Sequence, residues 1–289
     1  MTFFFYQRDF KNKVFCGTTA ITAILWVFLT QFDKLLMSKF LSLEEFGYYS
    51  LIVSVSSGIM MLSGPVSVAI LPRLTALYNS DNKKQMTNLF LKSTSLVSVT
   101  VLPISLIIIV IPDKILYLWT GNIELSSWGW ALSIYSLGSI FVVYSSFLHY
   151  IQFAHGNLKY HLRYGLITSA FSIPLIYILA VYFSVEGVAL IWLARSSIGI
   201  FLWAPFVFYK FLPGYYKEWL INNILYYAIV DFILIYFSKI LLLKYLDERL
   251  YLFIIMFLLI SCLILINYVM FKKVINKSYE LRTNSDRNI

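Results

Sequence analysis

Apolar residues fall in eight long, nearly unbroken runs, at residues 14–36, 48–71, 89–111, 128–151, 164–183, 188–209, 224–243 and 250–271, with short polar stretches between them. At 1.5 Å of rise per residue, each run is long enough to cross about 30 Å of hydrocarbon as a helix. A backbone in lipid must satisfy its own N–H and C=O groups, so runs of this length read as helices. The pattern therefore predicts an all-α, polytopic transmembrane bundle of about eight spans. The longest connection, Pro72 to Asn88, has 17 residues and no apolar core of its own. No soluble catalytic or binding domain is expected, and the work of the protein belongs in the bilayer.

Composition gives the same class without any choice of boundaries. Hydrophobic residues make up 60% of the chain and charged residues 13%, with a mean hydropathy of +0.78; soluble domains carry about 25% charged residues. Cys16 and Cys262 lie in the first and last runs, where thiols act as small apolar groups, so neither a disulfide framework nor a metal or cofactor site is implied. The basic stretch Arg8, Lys11, Lys13 precedes a run too long for a signal-peptide core, which reads as a retained span.

Charge sets the expected orientation. With a cytoplasmic N-terminus, fifteen of the 23 Lys and Arg fall in inner segments and four in outer ones, the asymmetry of the positive-inside rule, so both termini are expected in the cytoplasm. The net charge of +9 is spread along the cytoplasmic edges and suits anionic membrane lipids rather than nucleic acid. Trp128, Trp130, Tyr215, Tyr216 and Trp219 stand where aromatic rings favour the membrane interface. Pro65, Pro103, Pro174 and Pro205 each remove a helix hydrogen bond inside a run and predict kinks. Residues 112–122, PDKILYLWTGN, predict a short helix on the outer surface, and SVEG at 184–187 predicts a tight hairpin between the fifth and sixth spans.

Residues 30–80 resemble the seventh and eighth helices of bacterial polysaccharide (O-antigen) flippases. The resemblance rests on Asp33 with Lys34 after an apolar helix, on the SLEEFGYYS turn with Gly47 and Tyr49, and on the GP and LPRL pattern with Pro65, Pro72 and Arg73. That family shares a superfamily with multidrug and toxin extruders and with lipid II flippases. The resemblance implies that residues 1–211 form a six-helix C-terminal lobe, 212–271 two additional helices like a pair in lipid II flippases, and 272–289 a basic cytoplasmic tail. It implies a multi-pass protein of the bacterial inner membrane that moves an undecaprenyl-linked oligosaccharide, an O-antigen or capsular repeat unit. The family has two lobes around a central cavity, so the resemblance also implies a separately encoded N-terminal half-transporter, a homodimer, or an inactive truncated product.

Six charges lie inside the runs: Asp33, Lys34, Lys92, Arg195, Asp231 and Lys239. The three lysines are near span ends, where their ammonium groups reach the headgroups. Arg195 lies seven residues inside the sixth run, roughly 10 Å below the outer boundary at 1.5 Å per residue. There it requires a partner or a wet cavity. Either it faces an inter-lobe cavity and holds the pyrophosphate or acidic sugars of the substrate, or it pairs with Asp33 near the same membrane side. Asp33 itself either faces that cavity, as a second substrate-binding residue, or caps its helix. Asp231 either binds a coupling proton or cation or satisfies a hydroxyl across a helix interface.

No catalytic constellation emerges. His149, His155 and His161 recur every six residues, which does not put them on one helical face as metal ligands require, and they read as interfacial polar residues. No Gly-rich phosphate loop, nucleophile elbow or paired-carboxylate site is present, and no enzyme is expected. A multidrug or cation extruder of the same superfamily would line its cavity with acidic residues, so the charge facing the cavity separates the two transport readings.

Overall fold

A computed structural model describes the backbone of residues 2–241 and 249–287, and the side chains of residues 17–25, 27–28, 31–240 and 249–273. The basic stretch from Arg8 to Lys13, Cys16 and the tail beyond 273 lie outside the described side chains, and most of the connection at 244–249 lies outside both sets. Among the described residues every regular element is helical. In chain order they are α1 (Thr2–Phe40), α2 (Leu43–Leu62), α3 (Gly64–Asn79), α4 (Lys83–Val110), α5 (Pro112–Thr120), α6 (Gly129–Ala154), α7 (Lys159–Ile198), α8 (Ala204–Phe211), α9 (Tyr216–Leu220), α10 (Tyr226–Leu241) and α11 (Arg249–Arg287). Six described stretches are long and apolar enough to cross a membrane: Leu43–Asn79, Lys83–Val110, Glu124–Ala154, Lys159–Phe211, Tyr216–Ile240 and Arg249–Lys273.

Local chemistry sets the breaks. Ser42 and Glu45 form a capping box at the start of α2, the Ser42 hydroxyl accepting from the Glu45 N–H and the Glu45 carboxylate accepting from the Ser42 N–H. Asn82 accepts from the Gln85 N–H at the start of α4. Pro65 sits in the first turn of α3, where its missing N–H costs nothing, so the second apolar run is two helices joined at Ser63. Pro72, drawn above as the start of a connection, lies inside α3, which runs on to Asn79. The more polar residues after Pro72 continue the helix without a break. Residues 112–120 form the short helix expected of them.

The hairpin at SVEG is present. Ser184 has φ 49° and ψ −132°, dividing α7 into arms at 159–183 and 185–198. A Cβ on Gly187 would lie 2.6 Å from the Leu179 carbonyl oxygen, although eight residues along one helix are about 12 Å apart. The chain therefore doubles back, and only glycine lets the arms approach so closely.

Lipid tails are as apolar as leucine, so close packing and interhelical hydrogen bonds hold such a bundle together. Inside it α6 packs against α2, α4 and the α7 arms, α1 lies along α7, and α4 carries α10 and α11 on its other side. Buried Ser and Thr on α4 make the joins. Thr94 accepts from the Trp219 indole at 3.2 Å, the Ser98 hydroxyl bonds to the Tyr144 hydroxyl at 2.8 Å, and the Asn223 amide donates to the Leu91 carbonyl at 3.2 Å. Trp219 is fully buried within the protein, its indole N–H bonded to Thr94 between α4 and α6.

Candidate functional site

Two of the intramembrane charges foreseen above sit at opposite ends of one chain of side chains on α1, α2, α6 and the second arm of α7. Asp33 is buried; its Oδ1 accepts from the Lys34 N–H at 2.8 Å and its Oδ2 from the Tyr49 hydroxyl at 2.9 Å. The Tyr49 proton is committed to Asp33, so the Tyr135 hydroxyl, 2.9 Å from the Tyr49 oxygen, is the donor between the two tyrosines. The Tyr135 ring stacks on Trp192 with centroids 6.1 Å apart, and the Trp192 indole donates to the Tyr135 carbonyl at 3.2 Å. Trp192 lies directly over Gly138, whose missing side chain makes room for the indole. One turn on, the Arg195 guanidinium carbon stands 5.0 Å from the Trp192 ring centroid, a cation–π contact.

Asp33 and Arg195 attract each other through the interior but form no ion pair. The Asp33 oxygens are occupied by Tyr49 and the backbone, and Asp33 takes no part in lining the cavity into which Arg195 projects.

That cavity, of about 380 Å³, lies between α1, α6 and both arms of α7. Arg195, half-buried, lines it beside Tyr164, His149, His161 and Ser145, and none of its described lining residues is Asp or Glu. Several hydroxyls in the wall serve their own helices: Thr22, Ser146, Thr168 and Ser196 donate to carbonyls three or four residues back. Others are free. Ser145 Oγ and the Nδ1 atoms of His149 and His161 are buried without a hydrogen-bond partner. A fixed cation, two imidazoles and an unpartnered hydroxyl give an anion several N–H and O–H donors and no competing carboxylate.

The six-residue spacing of the histidines hid a contact. His149 and His161 have ring centroids 4.6 Å apart, each six residues from His155 at the α6–α7 turn. Antiparallel helices bring together residues equidistant from the turn, a signal that helical-face spacing cannot register. His155 stands apart, its Nδ1 2.7 Å from the Ile151 carbonyl and its ring against Tyr78 and Phe211.

Asp231 lies elsewhere, fully buried on α10, with Oδ2 accepting from the Asn267 amide of α11 at 2.9 Å. It does not reach the Arg195 cavity.

Residues 8–123 match the family model described as polysaccharide biosynthesis protein, consistent with a family of the polysaccharide flippase type. Families of this type are generally transporters rather than enzymes, and the chain is a multi-pass, polysaccharide-related membrane protein. The match covers Asp33 and Tyr49 but stops before α6 and α7, which supply Arg195 and most of the cavity wall. No curated protein and no solved structure matches the chain.

Proposed function

We propose that the chain takes part in moving an undecaprenyl-linked oligosaccharide across the bacterial inner membrane, the Arg195 cavity holding the phosphorylated headgroup while the lipid tail stays in the bilayer. The observation that carries this reading is a half-buried arginine in a cavity with no carboxylate among its described lining residues. A guanidinium fork matches phosphate oxygens in pairs, and with no acid to neutralise it the site attracts anions and repels the cations of a multidrug extruder. Trp192 fixes the guanidinium from below, and the Asp33–Tyr49–Tyr135 chain fixes Trp192, so Asp33 acts as a positioning residue. Alternating access needs two bodies that rock about the site. We assign the second to a separately encoded half-transporter or a second copy of this chain.

Complementation of a flippase-deficient strain, with any partner half supplied, tests the reading. The parent chain should restore surface polysaccharide. Arg195→Ala should fail at equal membrane abundance, and Arg195→Lys should restore part of the signal, because lysine keeps the charge but loses the fork. Restoration by Arg195→Ala equal to the parent's would refute the cationic site.

A further inference from the structure

On the far side of α4 from the Arg195 cavity, α10 and α11 close over an unbalanced carboxyl. Asp231 and Asn267 are both fully buried, and the only hydrogen bond between them runs from the Asn267 amide to Asp231 Oδ2. Asp231 Oδ1 and Asn267 Oδ1 are both buried without a hydrogen-bond partner, and the hydroxyl of Tyr227 lies one turn earlier on α10. No described lysine, arginine or histidine forms an ion pair with Asp231.

The described side chains of the surrounding helices offer no balancing charge. Trp219 bonds Thr94 and Lys239 Nζ donates to the Val110 carbonyl at 2.8 Å, so α10 runs parallel to α4 and Asp231 lies level with Pro103. Pro103 has no N–H, which removes the intrahelical donor to the Val99 carbonyl near that level. The titratable groups facing Asp231 are Tyr227 on α10 and Tyr144 on α6; Lys92 of α4 and Lys239 lie toward opposite ends of this interface. An ionised carboxylate in such a place, with one neutral amide for company, lacks the pairing that buried charge requires.

We propose that the Asp231–Asn267 pair is a proton-binding site that latches α10 and α11 onto α4. The proton occupies Asp231 Oδ1. A metal cation takes about six oxygens in place of its hydration shell, and this pocket offers two or three; a proton needs one acceptor. With the proton bound, Asp231 is neutral and the three helices close; with it lost, the carboxylate must reach water and the contact opens. The site shares no residue with the Arg195 cavity and does not depend on what that cavity binds.

The full chain in lipid nanodiscs provides the test. Infrared spectra at neutral pH should show the carbonyl stretch of a protonated carboxyl, absent from Asp231→Asn and shifted in Asn267→Leu, where the acid remains but its amide partner is gone. The parent's thermal midpoint should fall as the pH rises from about 6 to 9, and Asp231→Asn should lose that dependence, since closing then takes up no proton. No such band at neutral pH, or a band indifferent to both variants, overturns the proposal. So does a midpoint raised by sodium over choline chloride in the parent but not in Asp231→Asn, which would identify a metal cation as the occupant. Should Asp231→Asn fail to fold, the band shift in Asn267→Leu decides alone.

Discussion

At the scale of single residues, the energetics turn on which polar atoms have partners. Asp33 depends on Tyr49, and Tyr49→Phe leaves a buried carboxylate oxygen bare, so a loss of about 1–3 kcal/mol is expected in thermal or denaturant unfolding. Tyr135→Phe should cost less, because Tyr49 still donates to Asp33. Equal losses in the two variants would mean that the proton order assigned to this chain is wrong. The charges themselves were legible as departures from apolar runs. Their partners were not, since Tyr135 lies 86 residues from Tyr49 and nothing local links them. Sequence left Arg195 two fates, and the observed geometry gives neither in pure form: it faces a cavity, and it reaches Asp33 only through Trp192 and two tyrosines.

At the scale of helices, close approach is the recurrent device. Gly187 meets the Leu179 backbone at the α7 reversal, and Gly187→Leu should destabilise the chain by about 1–3 kcal/mol through overpacking, read as a lower unfolding midpoint. A midpoint equal to the parent's would mean that the arms can separate freely. This hairpin was legible because four residues between two apolar runs leave no other route. The extension of α3 to Asn79 was not, because a hydrophobicity window ends where the hydrocarbon ends and the helix does not. The partner of Trp219 was hidden for a related reason: an aromatic residue at a span boundary gives no sign in the sequence of which acceptor, here Thr94, its N–H will meet.

At the scale of the whole molecule, the two buried acids and the half-buried arginine divide between two regions, with α4 and α6 between them. One side holds the cavity that Arg195 lines, the other a carboxyl without a counter-charge among the described residues. The fold class was legible from the apolar runs alone. The cavity was not, since it needs α1, α6 and both arms of α7 to meet, and its paired histidines become neighbours only when the α6–α7 turn closes. The most direct measurement is equilibrium binding of an undecaprenyl-diphosphate oligosaccharide to the chain in nanodiscs, parent beside Arg195→Gln, over a range of salt. The account predicts saturable binding that weakens with salt and falls about tenfold or more in Arg195→Gln, as expected for loss of a charged hydrogen bond. Binding of equal strength in the two proteins, or binding indifferent to salt, would contradict it.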